Sequence, residues 1–380
     1  MVTQRLNLTQ IGERLGLVDT SLIALLAERQ KLVLMVEEYK RVTRQPIYRP
    51  EVELDRIQKV RTLAVKYGLN PDFVHSLFYQ VIGEANKVQM IQLQKSAGLY
   101  PEAETEDAWR ARLKGNLLAL TQKCASSYDE RYGQAFFGTR LHAEFEAAQI
   151  KQLAENTEDE LALDLGCATG RHSLLLTPHF KKVAGYDISP DMVRVAQQKV
   201  TVGGTANATF IAHDLEEGIP ERDESASFVV MSVGAASDIP NLPSLLREIR
   251  RVLRSGGKAF LSFYNSNALL YQWGFIPWTV GLAGEINVER HCLDIIWEED
   301  GSERTYSVYA QAYGPNDLEA LLPPGLPAVS VMTHPIVASI MPNVLFQKEN
   351  VRDSVAQIDD RLAQEGEEGG AYLTVVVRKT

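Results

Sequence analysis

The stretch 161–170 constrains what this chain can fold into more than any other part of it. It is an apolar run that enters a turn with glycines at 166 and 170, and the helix-like segment 171–176 follows. A short buried strand that leads through a glycine turn into a helix is the opening unit of a nucleotide-binding α/β domain. Both glycines allow positive φ and a close approach of the backbone to a ligand.

The spacing of the turn excludes two common nucleotide sites. Ala168 stands where the dinucleotide motif G-x-G-x-x-G has its second glycine, and no Gly-Lys-Ser/Thr follows as in a P-loop. The second strand ends in Asp187, which is 23 residues after Asp164. A carboxylate at that place can accept hydrogen bonds from both hydroxyls of a ribose.

From residue 160 onwards, strand and helix patterns alternate, which predicts a parallel, doubly wound sheet. The final strand has the pattern of an antiparallel addition. The predicted strands are Leu161–Leu165, Lys182–Asp187, Ala208–His213, Ser227–Ser232, Lys258–Phe263, Val329–Thr333 and Tyr372–Arg378. The predicted helices are 171–178, Pro190–Val200, Leu242–Leu253 and Pro315–Leu322, with Trp109–Cys124 and Glu130–Ala154 ahead of the first strand.

The first 95 residues have a different character. Apolar residues recur at intervals of three and four, which predicts helices over Thr9–Val42, Pro50–Tyr67 and Pro71–Lys95. Three helices cannot bury so many apolar side chains alone, so we expect a homodimer formed through them. The predicted organisation is an all-α domain at 1–96, a linker with cap helices at 97–158, and an α/β domain at 159–380.

Charge and cysteine content limit the classes of partner, the metal sites and the cellular compartment that we expect. The net charge is −10, with 14 basic and 10 acidic residues before position 96 and an excess of acidic residues after it. An acidic α/β domain disfavours nucleic acid. The three cysteines lack metal-site spacing, and the N-terminus lacks an apolar signal region. We expect a cytoplasmic protein without a metal site, and no membrane association.

The Asp-x-Gly-x-x-x-Gly turn, with the strand ends at 187 and 214, resembles the class I S-adenosylmethionine (SAM) dependent methyltransferases over residues of about 125–380. The resemblance implies SAM as the cofactor, with Asp187 on the ribose and Asp214 on the adenine amino group. The residues implied in cofactor binding are Asp164, Gly166, Cys167, Ala168, Gly170, Asp187, Ile188, Met192, Asp214, Leu215 and Ser232.

The helical segment 9–95 resembles the all-α chorismate mutases through Asp19–Arg29, Pro46 and Glu53-Leu-Asp. The residues implied in binding a chorismate-like ligand are Arg29, Lys40, Glu53 and Gln89. Two arginines of the family pattern fall on Gly12 and Val52, and a hydroxyl residue falls on Ala85. We therefore expect a degenerate module for dimerisation or ligand sensing, with weak or absent mutase activity.

The sequence defines the substrate pocket less clearly than the cofactor site. The Asn/Asp-Pro-Pro-Tyr element of many amino- and nucleic-acid-directed methyltransferases is absent after the fourth strand. We expect inserts at 264–313 and 336–371 to cover the pocket of a small molecule. Candidate substrate contacts are Tyr264 and Asn265, and His291 is a candidate base.

The resemblances together imply methyl transfer from SAM to an oxygen, nitrogen or carbon nucleophile of a small molecule, in secondary metabolism. Two alternatives stay open. One is a bifunctional enzyme that also rearranges chorismate, and the other is a non-enzymatic regulator that binds SAM.

Overall fold

The structure is a computed structural model. It describes residues 7–43, 49–96, 104–130, 137–154, 160–272, 285–287, 290–299, 302–341 and 343–380. The described residues fall into two compact units, one within 1–102 and 298–304, the other within 103–297 and 305–380. No helix in these ranges is long and apolar enough to cross a membrane.

Within 1–102, the described residues of the first unit form three helices, as predicted, whereas its described residues within 298–304 belong to strands. Its helices are α1 (Leu8–Thr43), α2 (Pro50–Lys66) and α3 (Pro71–Ser96). Proline opens both α2 and α3, at positions where a helix needs no backbone N–H. Among the residues of this unit whose side chains are described, the buried apolar ones are Val33, Ala64, Val74, Ile82 and Ala85.

The second unit is built on a seven-stranded sheet in the order β3-β2-β1-β4-β5-β10-β9. The first five strands are parallel, and β10 runs antiparallel between β5 and β9. This confirms the predicted doubly wound sheet with its antiparallel last strand. The strands are β1 (Leu161–Leu165), β2 (Lys182–Asp187), β3 (Ala208–Ala212), β4 (Ala226–Met231), β5 (Leu253–Tyr264), β9 (Ala328–His334) and β10 (Tyr372–Arg378).

Helices cover both faces of the sheet. On one face lies α9 (Leu242–Val252), whose leucines 242, 245 and 246 and residues 249 and 252 form one apolar stripe. The other face packs against α6 (Phe137–Ala154), α7 (Arg171–Leu176) and α8 (Pro190–Gly203). Strand order reverses between β1 and β4, and ligands of such sheets bind beyond the carboxyl ends of the strands at that point.

The segments around this core differ from the sequence predictions. Helix α4 (Glu106–Cys124) begins three residues earlier than predicted, because Thr105 caps it through a hydrogen bond from the Ala108 N–H. A short helix α5 (Tyr128–Glu130) follows. The predicted helix Glu130–Ala154 is observed as α6 from Phe137, and residues 131–136 lie outside the described part.

The predicted inserts contain regular structure that the sequence pattern missed. A three-stranded sheet is formed by β6 (Glu285–Asn287), β7 (Cys292–Glu299) and β8 (Ser302–Tyr309). Helix α10 (Leu269–Gln272) precedes it, and α12 (Glu349–Glu365) lies in the second insert. Between the two inserts, the predicted helix Pro315–Leu322 is observed as a 3-10 turn and α11 (Leu318–Leu321). The polar sequence of α12 buries only three residues, which explains why its apolar periodicity was not recognised.

The start of the fifth strand was also predicted wrongly. It begins at Leu253 rather than Lys258, because Leu253 already pairs with Ala226. The next pair joins Phe228 to Lys258. Residues 254–257 of β5 therefore bulge out of the hydrogen-bonded ladder with β4, and Gly256 among them has φ of +77°.

Gly170 provides a test of this packing. Its φ is +79°, and a Cβ there would lie 2.8 Å from the ring of Phe210. We expect Gly170→Ala to lower the free energy of unfolding by about 2–4 kcal/mol, the cost of left-handed backbone plus overpacking. Urea unfolding followed by circular dichroism measures it.

Gly204→Ala is the matched control. Its φ is +65°, but a Cβ there meets no atom within 4 Å. We expect a loss of about 1 kcal/mol from backbone strain alone. Equal losses for the two variants would contradict the close packing of Phe210 on the turn.

Candidate cofactor site

A cavity of about 480 Å³ opens at the carboxyl ends of β1, β2 and β4, at the reversal of strand order. Its floor is the turn after β1, residues 166–170, which we call the glycine loop. Side chains of α4 and α6 also line it, together with residues that follow β2, β3 and β4. The lining is mostly apolar, with charged groups at particular points.

The glycine loop has an unusual backbone. Gly166, Ala168 and Gly170 have φ of +76°, +44° and +79°. The N–H groups of Gly166 and Cys167 donate to the Tyr186 carbonyl oxygen at 2.8 and 3.0 Å. These bonds hold the loop against the end of β2 and turn its residues toward the cavity.

Asp187 connects the loop to the next strand. Its Oδ2 accepts the N–H of Ala168 and its Oδ1 accepts the N–H of Ser189, both at 2.8 Å. Burial raises the pKa of this carboxyl, and the two N–H donors oppose the rise. Each carboxylate oxygen keeps a lone pair for a ligand hydroxyl, so the geometry fits recognition of a ribose.

The structure brings nine of the eleven predicted cofactor residues to the cavity wall. They are Gly166, Cys167, Ala168, Asp187, Ile188, Met192, Asp214, Leu215 and Ser232.

Asp164 and Gly170 do not reach the cavity lining. Asp164 is buried under the loop, where Ser173 Oγ donates to its Oδ2 at 2.5 Å, and burial raises its pKa to about 6. Gly170 is needed for the backbone turn into α7.

Asp214, at the end of β3, has a partner that sequence analysis did not find. Its Oδ2 pairs with Lys114 Nζ from α4, and its Oδ1 accepts the N–H of Glu216 at 3.0 Å. Burial would raise the pKa of Asp214, but these two partners lower it, so the carboxylate stays charged. Lys114 lies 100 residues away in sequence, which is why no local pattern indicated the pair.

A second ion pair joins residues 106–130, from α4 to α5, to the glycine loop; we call these residues the cap segment. Asp129, in α5, accepts the hydroxyl of Thr169 at 2.7 Å and pairs with Lys199 of α8. Lys199 also donates to the Thr169 carbonyl oxygen at 2.8 Å. The segment from α4 to α5 is therefore fixed over the cavity at both ends.

The loop after β4, residues 232–235, has a strained backbone, and hydrogen bonds from its N–H groups to side chains of neighbouring elements hold it in place. Val233 has φ of +52°, which is costly for a β-branched residue. Its N–H donates to Glu146 Oε2 at 2.8 Å, and the N–H of Gly234 donates to Ser262 Oγ at 2.9 Å. We call this segment the β4 loop.

Glu146 is fully buried on α6 and was not indicated by the sequence. Burial would raise its pKa, but His142, whose Nε2 lies 2.9 Å from Glu146 Oε1, and His172 lower it. His142 in turn stacks on Tyr372, with ring centroids 3.9 Å apart. The carboxylate therefore stays charged and keeps its hold on the β4 loop.

Two further polar side chains line the same end of the cavity. His172 Nδ1 lies 2.8 Å from Ser232 Oγ, and burial lowers the His172 pKa to about 4. Thr139 is 1% exposed, and its Oγ1 has no hydrogen-bond partner among the described residues.

The three predicted substrate residues do not line this cavity. Asn265 is buried, and both hydrogens of its amide donate at 2.7 Å, to the carbonyl oxygens of Glu368 and Gly370. Tyr264 packs against Tyr372 with ring centroids 5.7 Å apart. His291 is exposed next to β7, with φ of +48°. Asn265 therefore serves the fold, because its amide has no donor left for a substrate.

In the first unit, Glu53 lies near the positive charges of Lys40 and Arg56. Glu53 Oε1 accepts from Asn86 Nδ2 at 2.7 Å, and burial raises the Glu53 pKa while Lys40 and Arg56 oppose the rise. Arg29 Nη1 donates to the Val81 carbonyl oxygen at 3.1 Å.

Gln89, the fourth predicted ligand residue, is buried on α3. Its Nε2 donates to the Ala85 carbonyl oxygen at 3.1 Å, and its buried Oε1 has no hydrogen-bond partner in the described part of the chain.

Two family models match the chain. Residues 162–257 match a methyltransferase domain, and residues 13–90 match chorismate mutase type II. The first match covers β1 to the bulge in β5, and with it the glycine loop, Asp187 and Asp214. The second covers most of the three helices of the first unit.

Curated relatives are similar to the α/β part. The chain is 29% identical over 146 residues to a demethylmenaquinone methyltransferase of Lactiplantibacillus plantarum, covering 38% of this chain and 60% of the relative. It is 24% identical over 210 residues to a malonyl-[acyl-carrier protein] O-methyltransferase of Paenibacillus, covering 50% and 71%. The chain thus spans less than two thirds of the demethylmenaquinone methyltransferase.

Solved structures align with the same region. The DhpI-SAM-HEP complex aligns at 16% identity and a TM-score of 0.47, covering 73% of this chain and 100% of that one. The PH0226 protein from Pyrococcus horikoshii aligns at 18% identity and a TM-score of 0.43, covering 67% and 99%. The family matches therefore show a methyltransferase-like segment at residues 162–257, with S-adenosylmethionine as the cofactor, and a segment similar to chorismate mutase type II at residues 13–90.

Proposed function

We propose that the protein transfers a methyl group from SAM to a small molecule, and that the cavity beyond β1, β2 and β4 holds the cofactor. The observation that carries this proposal is the Asp187 carboxylate, fixed by two N–H donors at the edge of the glycine loop and facing the cavity. The relatives named above use unlike acceptors, so they leave the acceptor of this chain open.

The cavity residues fit the parts of SAM. Asp187 would accept the two ribose hydroxyls, and the apolar side chains of Ile188 and Leu215 would flank the adenine. Asp214 would accept the adenine amino group while Lys114 keeps it charged. When bound, SAM supplies an electrophilic methyl group on a sulfonium, so the protein needs to align the nucleophile and exclude water.

The cap segment serves this exclusion of water. Helix α4 contributes Leu113, Leu117 and Leu120 to the cavity wall. Strand β8 contacts α4 as well: Asn116 Nδ2 of α4 donates a hydrogen bond to the carbonyl oxygen of Ser307 at 2.9 Å. A low-polarity wall strengthens the electrostatic contacts made inside the cavity.

We propose that the first unit forms a homodimer and senses a small ligand. Residues 11, 15, 18, 22 and 25 form a stripe of exposed apolar side chains on α1. The same face is buried farther along the helix at Val33. A second copy of this helix is the occupant that matches such a stripe.

The setting of the protein is also a proposal. The three cysteines are free in the structure, which supports a reducing, cytoplasmic environment. The acidic net charge supports a small-molecule acceptor over nucleic acid. The fusion to a chorismate mutase-like domain supports a role in secondary metabolism.

The cofactor site predicts a specific effect at Asp187. We expect Asp187→Ala to weaken binding of S-adenosylhomocysteine, the product form of SAM, by at least about 100-fold, since two charge-assisted hydrogen bonds are lost. Isothermal titration calorimetry measures the affinity.

Asp191→Ala is the control, because Asp191 is an acid in the first turn of α8, four residues after Asp187, and it pairs with Arg194 rather than lining the cavity. Unchanged affinity in Asp187→Ala would refute the site. Labelled SAM added to a metabolite extract then separates enzyme from regulator: label on a small molecule supports methyl transfer, whereas SAM binding without transfer supports a regulator.

The homodimer predicts a mass at sedimentation equilibrium of twice the 42.4 kDa of the chain. We expect Leu22→Glu to shift the protein to monomer, because a charge would be buried in the stripe. Thr20→Glu, at an exposed position on the opposite face of α1, should leave the dimer intact. A monomeric wild-type protein would exclude this interface.

A bifunctional enzyme is the second candidate, because the charges of Lys40 and Arg56 act on Glu53, Arg29 lies near Arg56, and the buried Gln89 Oε1 has no hydrogen-bond partner among the described residues. We nevertheless expect no loss of chorismate absorbance above the uncatalysed rate, since Gly12 and Val52 replace two arginines. Losing two charge-assisted contacts costs about 3–6 kcal/mol. A measurable rate that Arg29→Ala abolishes would instead support the bifunctional enzyme.

A further inference from the structure

The cofactor contacts argued above leave the carboxyl group of Asp238 unassigned. Asp238 follows β4 and ends the short 3-10 helix Ala235–Asp238. It lines the cavity, and its Oδ1 is buried without a hydrogen-bond partner among the described residues. An unpaired buried carboxyl oxygen costs free energy, so this group points to a partner that the bound ligand supplies.

The charge that Asp238 can carry separates it from the other unpaired groups of the cavity wall. Three further wall residues have a buried polar atom without a partner in the described part of the chain: Arg110, Thr139 and His172. Arg110 is a cation, Thr139 is a hydroxyl, and burial lowers the pKa of His172 to about 4, so its imidazole is neutral near neutral pH. Asp238 is the member of this set that can place a negative charge in the cavity.

The charges around Asp238 do not neutralise it. Each lysine and arginine of the cavity wall pairs with another acid: Arg110 with Glu106, Lys114 with Asp214, and Arg171 with Asp129. Burial and the like charge of Asp187 raise the pKa of Asp238. Burial also raises the pKa of Tyr309 on the same wall, and the charges of Glu216 and Asp238 add to that rise. A cation that enters the cavity would therefore find an unpaired carboxyl group at Asp238.

The place of Asp238 in the sheet fits a contact with the sulfonium of SAM. Strand β1 and its glycine loop lie between β2, which ends in Asp187, and β4, which leads to Asp238. The effect of Asp187 on the pKa of Asp238 places the two carboxyl groups within electrostatic range. In SAM the sulfur is bonded both to the ribose carbon and to the methionine chain. A ribose at Asp187 with its methionine end toward β4 would carry the sulfonium across the glycine loop toward Asp238.

We propose that Asp238 is the counter-charge for the sulfonium and selects SAM over its neutral product, S-adenosylhomocysteine. This inference rests on the proposed methyl transfer and specifies how the same cavity distinguishes the two forms of the cofactor. A carboxylate and a cation attract each other strongly where water is excluded. The attraction ends once the methyl group has left the sulfur, and the Asp238 carboxyl then takes a proton from solvent, because burial and Asp187 disfavour its charged form. The product is bound less tightly than SAM, which favours its release.

The test compares three ligands by isothermal titration calorimetry with the full-length protein. SAM and sinefungin carry a positive charge at this point of the molecule, and S-adenosylhomocysteine does not. We expect Asp238→Asn, which keeps the shape and removes the charge, to weaken binding of SAM and of sinefungin about tenfold or more. Binding of S-adenosylhomocysteine should stay within about threefold of the wild type. Circular dichroism verifies that the variant is folded.

The pH dependence of binding is a second measurement, and in the wild-type protein it needs no variant. A cation lowers the pKa of a neighbouring carboxyl, so binding of SAM displaces the proton of Asp238. The affinity for SAM therefore rises with pH below the raised pKa of Asp238 in the free protein. We expect a steeper rise for SAM than for S-adenosylhomocysteine, and the loss of this difference in Asp238→Asn.

Glu216→Gln is the matched control, because Glu216 is an acid of the same cavity wall that is exposed. Solvent screens its charge, so the ratio of the affinities for SAM and S-adenosylhomocysteine should change by no more than about twofold.

The outcomes separate this inference from the function on which it rests. If Asp238→Asn is folded and weakens all three ligands equally, Asp238 contacts a group that SAM shares with its product, and the inference is overturned. Unchanged affinities for all three ligands overturn it as well, as does an equal pH dependence for SAM and S-adenosylhomocysteine in the wild type. If the wild-type protein binds none of the three ligands, the proposed function itself fails.

Discussion

The pairing of the Asp187 carboxylate with the Ala168 N–H is the contact on which the site depends. Ala168 has a positive φ without being glycine, so its backbone needs a strong partner to stay there. The acceptor at the end of β2 supplies that partner at 2.8 Å. One carboxylate thus fixes the loop after β1 and faces the cavity, which couples the shape of the glycine loop to the group proposed to recognise the ribose.

The sequence predicted the parts of the fold that depend on local patterns. Strands β1, β2 and β10 were placed to the residue, because each is a short apolar run bounded by turn residues. The predicted cofactor residues at strand ends line one cavity, since topology brings such ends to one edge of a parallel sheet. Helix α12 and the hairpin in the inserts were missed, because their stability depends on contacts with distant segments rather than on an apolar period.

The residues that sequence reasoning missed share one property: their roles come from contacts over long sequence separations. Lys114 meets Asp214 across 100 residues, and Glu146 meets the N–H of Val233 across 87 residues. No spacing rule indicates such pairs. Position at a strand end was also insufficient to predict a substrate contact. Asn265 follows β5 directly, yet its amide donates its hydrogen bonds to backbone carbonyl oxygens.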